Sequence, residues 1–361
     1  MSFDPLVAYN ELPALPPKAD IETRDILRKA ISAGRALAEL KGLGETIPNQ
    51  AILVNSLILQ EAKASSEIEN IVTTNDALFQ AFSAKTTRID PATKEVLRYR
   101  EALWEGYGAL KKRPALSTEL FIRIVQTIKQ NQAGIRNAPG TKVTNMLTGE
   151  IIFTPPAGEA VIRKKLMELE SFIHAAGPLD PLISLALIHY QFEAIHPFFD
   201  GNGRTGRIVN ILYLVQSGLL ELPVIYLSKP IIEQKRDYYR LLRGVSGQGD
   251  WEPWIIFMLE AVEQASIFSR QRIMEIRALM LDTLEHARKN LPGRVYSKEL
   301  IELIFMQPYT KGQFLVDAGI AKRQTAADYL KALADAGILK ALKMGKEVLY
   351  LNEKLYALLG K

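Results

Sequence analysis

Apolar residues recur at helical spacing along most of the chain. In the first such stretch, Ile26, Leu27, Ile31 and Leu37 fall on one helical face. Asp90, followed by a proline, is a typical helix start, because an aspartate caps free N–H groups and proline loses no hydrogen bond there. The helical stretches are residues 20–41, 49–70, 90–111, 117–130, 179–195, 204–216, 229–243 and 251–290, the last of which is long enough for one or two helices. This pattern predicts a mostly α-helical protein.

Residues 134–156 interrupt the helical pattern. They are rich in Gly, Pro, Asn and Thr and contain two short strand-like runs, at residues 142–144 and 151–153, joined through Thr148 and Gly149. The pattern predicts a β-hairpin in an otherwise helical region. A plain connecting hairpin would give the same pattern as a binding element.

A proline and a glycine at positions 292 and 293 mark the clearest domain boundary. Beyond them come two helical stretches, a turn at Gly319, a third helical stretch at residues 322–336, and two strand-like runs around Gly345. This order resembles a winged helix-turn-helix. We expect three regions: an N-terminal helical region at residues 1–110, a central region at residues 111–292 and a winged helix-turn-helix at residues 293–361.

The composition is that of an ordinary soluble globular protein, with 48% hydrophobic and 24% charged residues in a chain of 361. The chain has no cysteine, which excludes disulfides, thiolate nucleophiles and cysteine-based zinc sites. Its four histidines lack metal-binding spacing. The N-terminus does not read as a signal peptide, and no apolar run reaches the ~18 residues of a membrane span. We therefore expect a cytoplasmic protein without membrane contact.

The net charge of +5 lies mostly in the last region, where residues 294–361 hold 11 Lys and Arg residues against 7 Asp and Glu residues. The predicted recognition helix would begin with polar and basic residues, and lysines would flank the predicted wing tip, which suits DNA phosphates. These residues are Lys322, Arg323, Gln324, Thr325, Lys343 and Lys346. Asp328 and Asp335 weaken that interpretation. We place DNA binding through residues 293–361 below a protein-docking or dimer-supporting role.

A phosphate site is predicted at residues 195–207, which read IHPFFDGNGRTGR. Gly201, Asn202 and Gly203 can adopt backbone angles at which successive N–H groups converge on an anion. The helix that follows adds the free N–H groups and the positive dipole end of its first turn. Arg204 and Arg207 lie three residues apart on one helical face, where two guanidinium groups suit phosphate oxygens.

Two residues ahead of these glycines supply a base and a metal ligand. His196, with an unperturbed pKa of about 6.5, can accept a proton from an attacking hydroxyl near neutral pH. Asp200 is a hard oxygen ligand, and Mg²⁺ bound to a nucleotide usually takes only one or two protein carboxylates. These residue types indicate phosphate, metal and base chemistry. They leave open which phosphate is attacked, so kinase chemistry stays possible at this point.

The pattern His-Pro-Phe-x-Asp-Gly-Asn-Gly-Arg-x-x-Arg, at residues 196–207, resembles the active-site motif of the Fic (Fido) family without a departure. The resemblance implies a Fic-type helical core and a protein adenylyltransferase that moves AMP from Mg·ATP to Ser, Thr or Tyr hydroxyls of target proteins and of itself. Gly203 favours this nucleotidyl transfer, because the kinase-like branch has lysine there. The predicted hairpin would be the family's flap, whose edge pairs with the target segment.

The same resemblance implies a role for each motif residue. His196 would deprotonate the hydroxyl, Asp200 would hold Mg²⁺, and the two arginines would hold the β- and γ-phosphates. The implied nucleotide-binding residues of the motif are Gly201, Asn202, Gly203, Arg204, Thr205, Gly206 and Arg207. Tyr238 and Tyr239 lie where the family has adenine-contacting aromatics, although core packing would explain each of them almost equally well.

Residues 65–70, which read SSEIEN, resemble the family's inhibitory motif, Ser/Thr-x-x-x-Glu-Gly/Asn. Ser65 and Glu69 lie one helical turn apart. The resemblance implies that the Glu69 carboxylate pairs with Arg207 and occupies the position that the γ-phosphate needs. The alternative is a solvated helix end, where Glu and Asn are common. The intact active-site motif downstream favours the inhibitory interpretation of residues 65–70.

Two other functions stay open. The same site can serve mainly to remove AMP, with Glu69 orienting a water molecule. Alternatively, the chain is a DNA-binding regulator whose core only senses nucleotide, in which case residues 294–361 would bind DNA in a salt-dependent way. A homodimer is a further assembly that we consider.

Overall fold

The computed structural model describes residues 3–44, 50–83, 89–138, 140–144, 149–175, 177–344 and 347–360. The protein is mostly α-helical, as the periodicity predicts. Its helices are α1 (Arg24–Gly44), α2 (Gln50–Ile68), α3 (Asn75–Ser83), α4 (Pro91–Lys112), α5 (Thr118–Lys129), α6 (Glu159–His174), α7 (Pro181–Ile195), α8 (Asn202–Gln216), α9 (Ser228–Glu233), α10 (Lys235–Gln248), α11 (Trp251–Asn290), α12 (Lys298–Phe305), α13 (Gly312–Asp317), α14 (Arg323–Asp335) and α15 (Glu353–Leu359). The strands are β1 (Val143–Thr144), β2 (Ile151–Phe153), β3 (Tyr309–Thr310), β4 (Lys340–Met344) and β5 (Glu347–Leu351).

The helix boundaries follow local chemistry. Asp90 caps α4 by accepting a hydrogen bond from Thr93 N at 2.8 Å, so the predicted start of this helix is confirmed. The predicted helix at residues 229–243 is instead two helices, because Gln234, at φ −116°, interrupts the helical backbone between α9 and α10. Helices α3, α6 and α15 have no counterpart in the predicted pattern. None of the described helices is both long enough and apolar enough to cross a membrane.

The core forms around α7 and α8, which pack against each other on either side of the predicted phosphate site. Every residue of α7 from Leu182 to Phe192 is buried, and so is most of α8. Helices α4 and α5 pack on α8, while α6 and α11 pack on α7. Full burial of a Leu, Ile or Phe side chain stabilises a fold by roughly 1.5–3 kcal/mol. The buried helices α7 and α8 therefore hold the loop between them in a fixed position.

Strands β1 and β2 pair antiparallel, so the predicted hairpin is present as a flap beside the core. Thr148, expected in its turn, lies outside the described residues. The N-terminal segment packs along the base of the flap: Tyr9 N donates to Thr154 O at 3.0 Å, and the Phe3 ring stacks on the Phe153 ring at 5.9 Å. The chain itself therefore covers the β2 side of the flap.

We call residues 293–360 the C-terminal module. Its antiparallel sheet has the strand order β3–β5–β4, and its elements follow the order helix, strand, helix, helix, strand, strand, helix. Its assignment as a winged helix-turn-helix stays a prediction. The exposed polar residues predicted to face a partner are Lys322, Arg323, Gln324, Thr325 and Lys343, with Asp328 and Asp335 exposed beside them. Lys346 lies outside the described residues.

Candidate active site

The loop between α7 and α8 carries the predicted phosphate site. His196 ends α7 in the left-handed region, at φ 49°, while its backbone N–H still donates to Phe192 O at 3.0 Å. Gly201, at φ 84°, precedes α8 in a conformation that favours glycine. The Asn202 side chain closes the loop, accepting from Phe198 N and donating to Phe198 O, both at 2.8 Å. Both polar atoms of the Asn202 side chain therefore shape the loop, whereas the family resemblance implies a nucleotide-binding role for this residue.

A buried arginine, Arg136, fixes the position of His196. It is 1% exposed, and its Nε donates to His196 O at 2.7 Å, while Nη2 donates to Pro156 O at 2.5 Å and to Ile195 O at 3.3 Å. One guanidinium thus satisfies carbonyls at the end of α7 and a carbonyl just after the flap. Arg136 is not among the residues predicted from the sequence, where its one signal is a charge within a Gly- and Pro-rich stretch.

His196 is a neutral imidazole at pH 7. Burial, together with the charge of Arg136, lowers the pKa of His196 to about 4. The ordinary pKa used in the sequence analysis is therefore too high, because it takes no account of burial. A neutral imidazole can accept a proton from an incoming hydroxyl, as a general base must.

Asp200 belongs to an ionic cluster with residues of other helices. Lys129 Nζ lies 2.6 Å from Asp200 Oδ2 and 2.8 Å from Glu95 Oε1. Partial burial raises the pKa of Asp200, but the hydrogen bond and charge of Lys129 outweigh that effect, and the net pKa is lowered. The Asp200 side chain is 65% exposed, so an ionised and accessible carboxylate stands beside the anion-binding loop. Its chemistry fits an Mg²⁺ ligand.

Arg204 contacts a carboxylate, whereas the family resemblance implies that it holds a phosphate. It is 1% exposed, its Nη1 lies 2.7 Å from Glu95 Oε1, and it is not among the residues that line the cleft described below, whereas Arg207 is. Helical positions three apart differ by about 60° in direction, so the two guanidinium groups reach different neighbours. Thr205 is fully buried and also lies outside the cleft lining.

Arg207 is held by the residues of the second motif. Its Nε donates to Ser65 Oγ at 2.8 Å, and its Nη2 donates to Ser65 O at 2.7 Å and to Glu69 Oε1 at 2.9 Å. Glu69 follows α2 directly, and Asn70 next to it adopts φ 62°, a left-handed conformation that asparagine tolerates. The structure therefore brings Ser65, Glu69 and Arg207 together.

Two glycines make room for carboxyl groups on one face of α8. A Cβ at Gly203 would overlap Glu69 Oε1, and a Cβ at Gly206 would overlap Glu193 Oε1. That oxygen of Glu193 is buried and has no hydrogen-bond partner among the described residues. Burial raises the pKa of Glu193 to about 8 against the opposing charge of Arg207, so the carboxyl is protonated at pH 7. Glu193 is not among the residues predicted from the sequence.

A cleft opens beside His196 and Arg207. Tyr238 and Tyr239 both line it, together with the flap. Tyr238 is 1% exposed, and its hydroxyl lies 2.8 Å from Nε2 of the buried His189, so it is mainly a core residue. Tyr239 is half-buried and is the better placed of the two tyrosines for contact with an adenine ring.

The arrangement combines three chemical capabilities. The first turn of α8 offers free N–H groups to an anion, and His196 can accept a proton beside it. Within the described residues, no group of three or more His, Cys, Asp or Glu side chains would hold a metal by itself. Asp200 would therefore hold a metal jointly with oxygens of a bound phosphate.

Curated relatives match part of the chain. The protein adenylyltransferase fic-1 of Caenorhabditis briggsae is 28% identical over 147 residues, which is 39% of this chain and 27% of that protein. The protein adenylyltransferase Fic of Drosophila grimshawi is 30% identical over 111 residues, which is 30% of this chain and 22% of that protein. The chain thus matches about a quarter of the length of these relatives.

Solved structures share the fold. A Fic family protein from Desulfovibrio desulfuricans G20 covers 93% of this chain and 98% of its own, with a TM-score of 0.56 and 20% identity. Fic-1 of C. elegans, residues 134–508, covers 70% of this chain and 74% of its own, with a TM-score of 0.52 and 21% identity.

Family models match three successive parts of the chain. The Fic/DOC family N-terminal model matches residues 27–108, and the Fic/DOC family model matches residues 115–214, which include the loop with His196. The model of the protein adenylyltransferase SoFic-like C-terminal domain matches residues 279–355. With its N-terminal, central and C-terminal parts each matched in order, the chain belongs to the Fic family.

Proposed function

We propose that this protein transfers AMP from Mg·ATP to the hydroxyl of a Ser, Thr or Tyr residue of a protein. The observation that carries the proposal is the placement of a neutral His196 directly before the first turn of α8, whose N–H groups attract phosphate. Geometry alone fits attack on either the α- or the γ-phosphate. Attack on the α-phosphate is supported by the relatives that are named protein adenylyltransferases.

In the proposed reaction, His196 accepts the proton of the hydroxyl while its oxygen forms a bond to the α-phosphorus. The bond from the α-phosphorus to the oxygen that bridges to the β-phosphate breaks, and pyrophosphate leaves with its electron pair. The N–H groups at the start of α8 hold the α-phosphate oxygens, and Arg207 holds the terminal phosphate. Asp200 would hold Mg²⁺, which would neutralise phosphate charge when bound.

Glu69 restrains this reaction in our proposal. It pairs with Arg207 at 2.9 Å and lies over Gly203, so a terminal phosphate that needs Arg207 must displace it. ATP can still bind at the start of α8, but with its phosphates out of line for transfer. The unrestrained enzyme then modifies targets and itself.

We also propose the flap as the target-binding edge. Among the described residues, β1 pairs with β2 on one side only, and the N-terminal segment covers the β2 side. The free edge of β1 supports binding of an extended target segment through backbone hydrogen bonds, with little demand on its sequence.

Incubation with Mg·ATP and a cell lysate, followed by intact-mass measurement, tests the proposal, and the expected product is a protein carrying one AMP group. ATP labelled in the α-phosphate should label the product, and ATP labelled in the γ-phosphate should not. The reverse result would indicate a kinase. A modified target that loses AMP faster than the unmodified target gains it would identify AMP removal as the main activity.

A further inference from the structure

The chain segment that carries Glu69 is held on both sides by the C-terminal module. Helix α2 ends just before Glu69, and on it Gln60 Nε2 donates to Leu359 O of α15 at 2.8 Å. Gln60 is 8% exposed, so this hydrogen bond is shielded from water. A buried amide that loses its partner costs roughly 1–3 kcal/mol, so the contact favours one position of α2 relative to the module.

Helix α3 supplies the second attachment. It begins soon after Glu69 and faces the module through three contacts. The Tyr309 hydroxyl donates to Asp76, Ser83 Oγ donates to Tyr309 O at 3.2 Å, and the Phe79 ring packs edge-on against the Tyr356 ring at 6.0 Å. The segment between α2 and α3 therefore cannot move freely while the module stays in place.

The position of α2 determines where the residues that bind Arg207 lie. Glu61, next to Gln60, is fully buried and accepts hydrogen bonds from Ser228 N at 2.7 Å, Ser228 Oγ at 2.6 Å and Tyr99 Oη at 2.9 Å. Helical spacing of four residues places Glu61 and Ser65 on one face of α2, and Ser65 bonds Arg207. A shift of α2 at Gln60 therefore also shifts the residues that hold Arg207.

We propose that the C-terminal module regulates AMP transfer by holding α2 and α3 so that Glu69 stays paired with Arg207. Displacing the module from these helices releases Glu69 and activates the enzyme. The inference rests on the proposed function, because it requires both AMP transfer and restraint by Glu69. Coupling between two sites of a protein typically changes an equilibrium by about 5–150-fold, so we expect a rise in AMP transfer within that range.

Tyr356→Asp tests the inference. The new carboxylate would replace the ring that packs on Phe79 and would stand near Asp76, so it should separate α15 from α3. Tyr356→Phe is the matched control, since it keeps the ring. AMP transfer from labelled ATP should rise in Tyr356→Asp and stay at the wild-type rate in Tyr356→Phe. Hydrogen exchange of residues 50–83 should be faster only in Tyr356→Asp.

A cross-link provides the opposite test. The chain has no cysteine, so only introduced thiols would react. A Cβ at Gly360 would lie 3.8 Å from Asn75 Nδ2, which places Asn75→Cys and Gly360→Cys within reach of a short bis-thiol reagent. In the Tyr356→Asp background, the cross-linked protein should transfer AMP more slowly than the same protein without reagent. Equal rates would contradict the inference.

Glu69→Gly distinguishes failure of the proposed function from failure of the proposed regulation by the C-terminal module. If Glu69→Gly transfers no AMP, the proposed function itself is wrong. If Glu69→Gly is active but Tyr356→Asp transfers AMP only at the wild-type rate, the regulatory inference is wrong. The double variant should be no faster than Glu69→Gly, and a further gain would show that the module acts elsewhere. Gln60→Ala, which removes one hydrogen bond, gives the same comparison should Tyr356→Asp fail to fold.

Discussion

Replacing Glu69 with Gly removes the carboxylate that contacts Arg207 Nη2 at 2.9 Å. The Arg207 side chain is 1% exposed and that of Glu69 is 33% exposed, so solvent screens the pair only in part. A hydrogen bond to a charged group contributes roughly 1.5–3 kcal/mol. Each 1.36 kcal/mol corresponds to about a tenfold change in rate. Freeing Arg207 for the terminal phosphate should therefore raise AMP transfer by about 10–150-fold.

The assay is the initial rate of AMP incorporation from ATP labelled in the α-phosphate, at saturating Mg·ATP. Glu67→Gly is the matched control, because it places the same flexible residue in the same segment without a contact to Arg207. Glu69→Gln, which keeps the bulk and loses the charge, should give an intermediate rate. Adding Arg207→Ala to Glu69→Gly should cancel the gain.

Equal incorporation by wild type and Glu69→Gly, on every acceptor and on the enzyme itself, would refute this reasoning. Glu69 would then be a surface residue whose ion pair has no effect on the reaction. A gain that persists in the double variant would show that Arg207 is not the group that the terminal phosphate needs.

Four other substitutions test the site. His196→Ala should lower AMP transfer by about 10²–10⁴-fold and leave the Kd of Mg·ATP unchanged in calorimetry, because the base acts on the acceptor. Asp200→Ala should raise the Mg²⁺ concentration at half-maximal rate, and an unchanged midpoint in a magnesium titration would place the metal elsewhere. Glu193→Gln should stabilise the fold by about 4 kcal/mol at pH 8 and by about 1 kcal/mol at pH 5 in thermal unfolding. The reason is that the folded-state pKa of Glu193, about 8, lies above the unfolded value, so wild type loses stability as the pH rises between the two, and a neutral amide does not. Arg136→Met should lower the free energy of unfolding by about 2–4 kcal/mol, measured in urea, because buried carbonyls lose their donor; a loss below about 1 kcal/mol would mean that water replaces it.

Local patterns were sufficient to predict the helical fold, the hairpin and the loop at residues 195–207. Each depends on residues that are neighbours in the chain: apolar spacing sets the helices, glycines permit the left-handed turn before α8, and Asp90 caps α4. The contact of Glu69 with Arg207 was also anticipated, although it joins distant segments, because two separate motifs implied it. The functional roles of these residues stay predictions.

The partners of buried charges could not be predicted. Arg136 bonds carbonyls of two distant segments, and nothing in its neighbours in the chain indicates which carbonyls these are. Arg204 pairs with Glu95 of α4, a choice that depends on how α4 packs against α8. The protonation of Glu193 and the low pKa of His196 both follow from burial, which becomes known only once the helices are assembled.

Helix α11 joins the helical core around α7 and α8 to the C-terminal module as one continuous helix of 40 residues. Trp254, near its start, is buried in the core, and the match to the C-terminal family model begins at residue 279, inside the helix. Each helical residue adds a rotation of about 100° and a rise of about 1.5 Å. Inserting one residue midway would therefore turn the module by about 100° and carry Leu359 away from Gln60. The number of residues in this helix determines how the C-terminal module is rotated about the helix axis relative to the core. A module taken from a relative would therefore need the same helix length to contact α2.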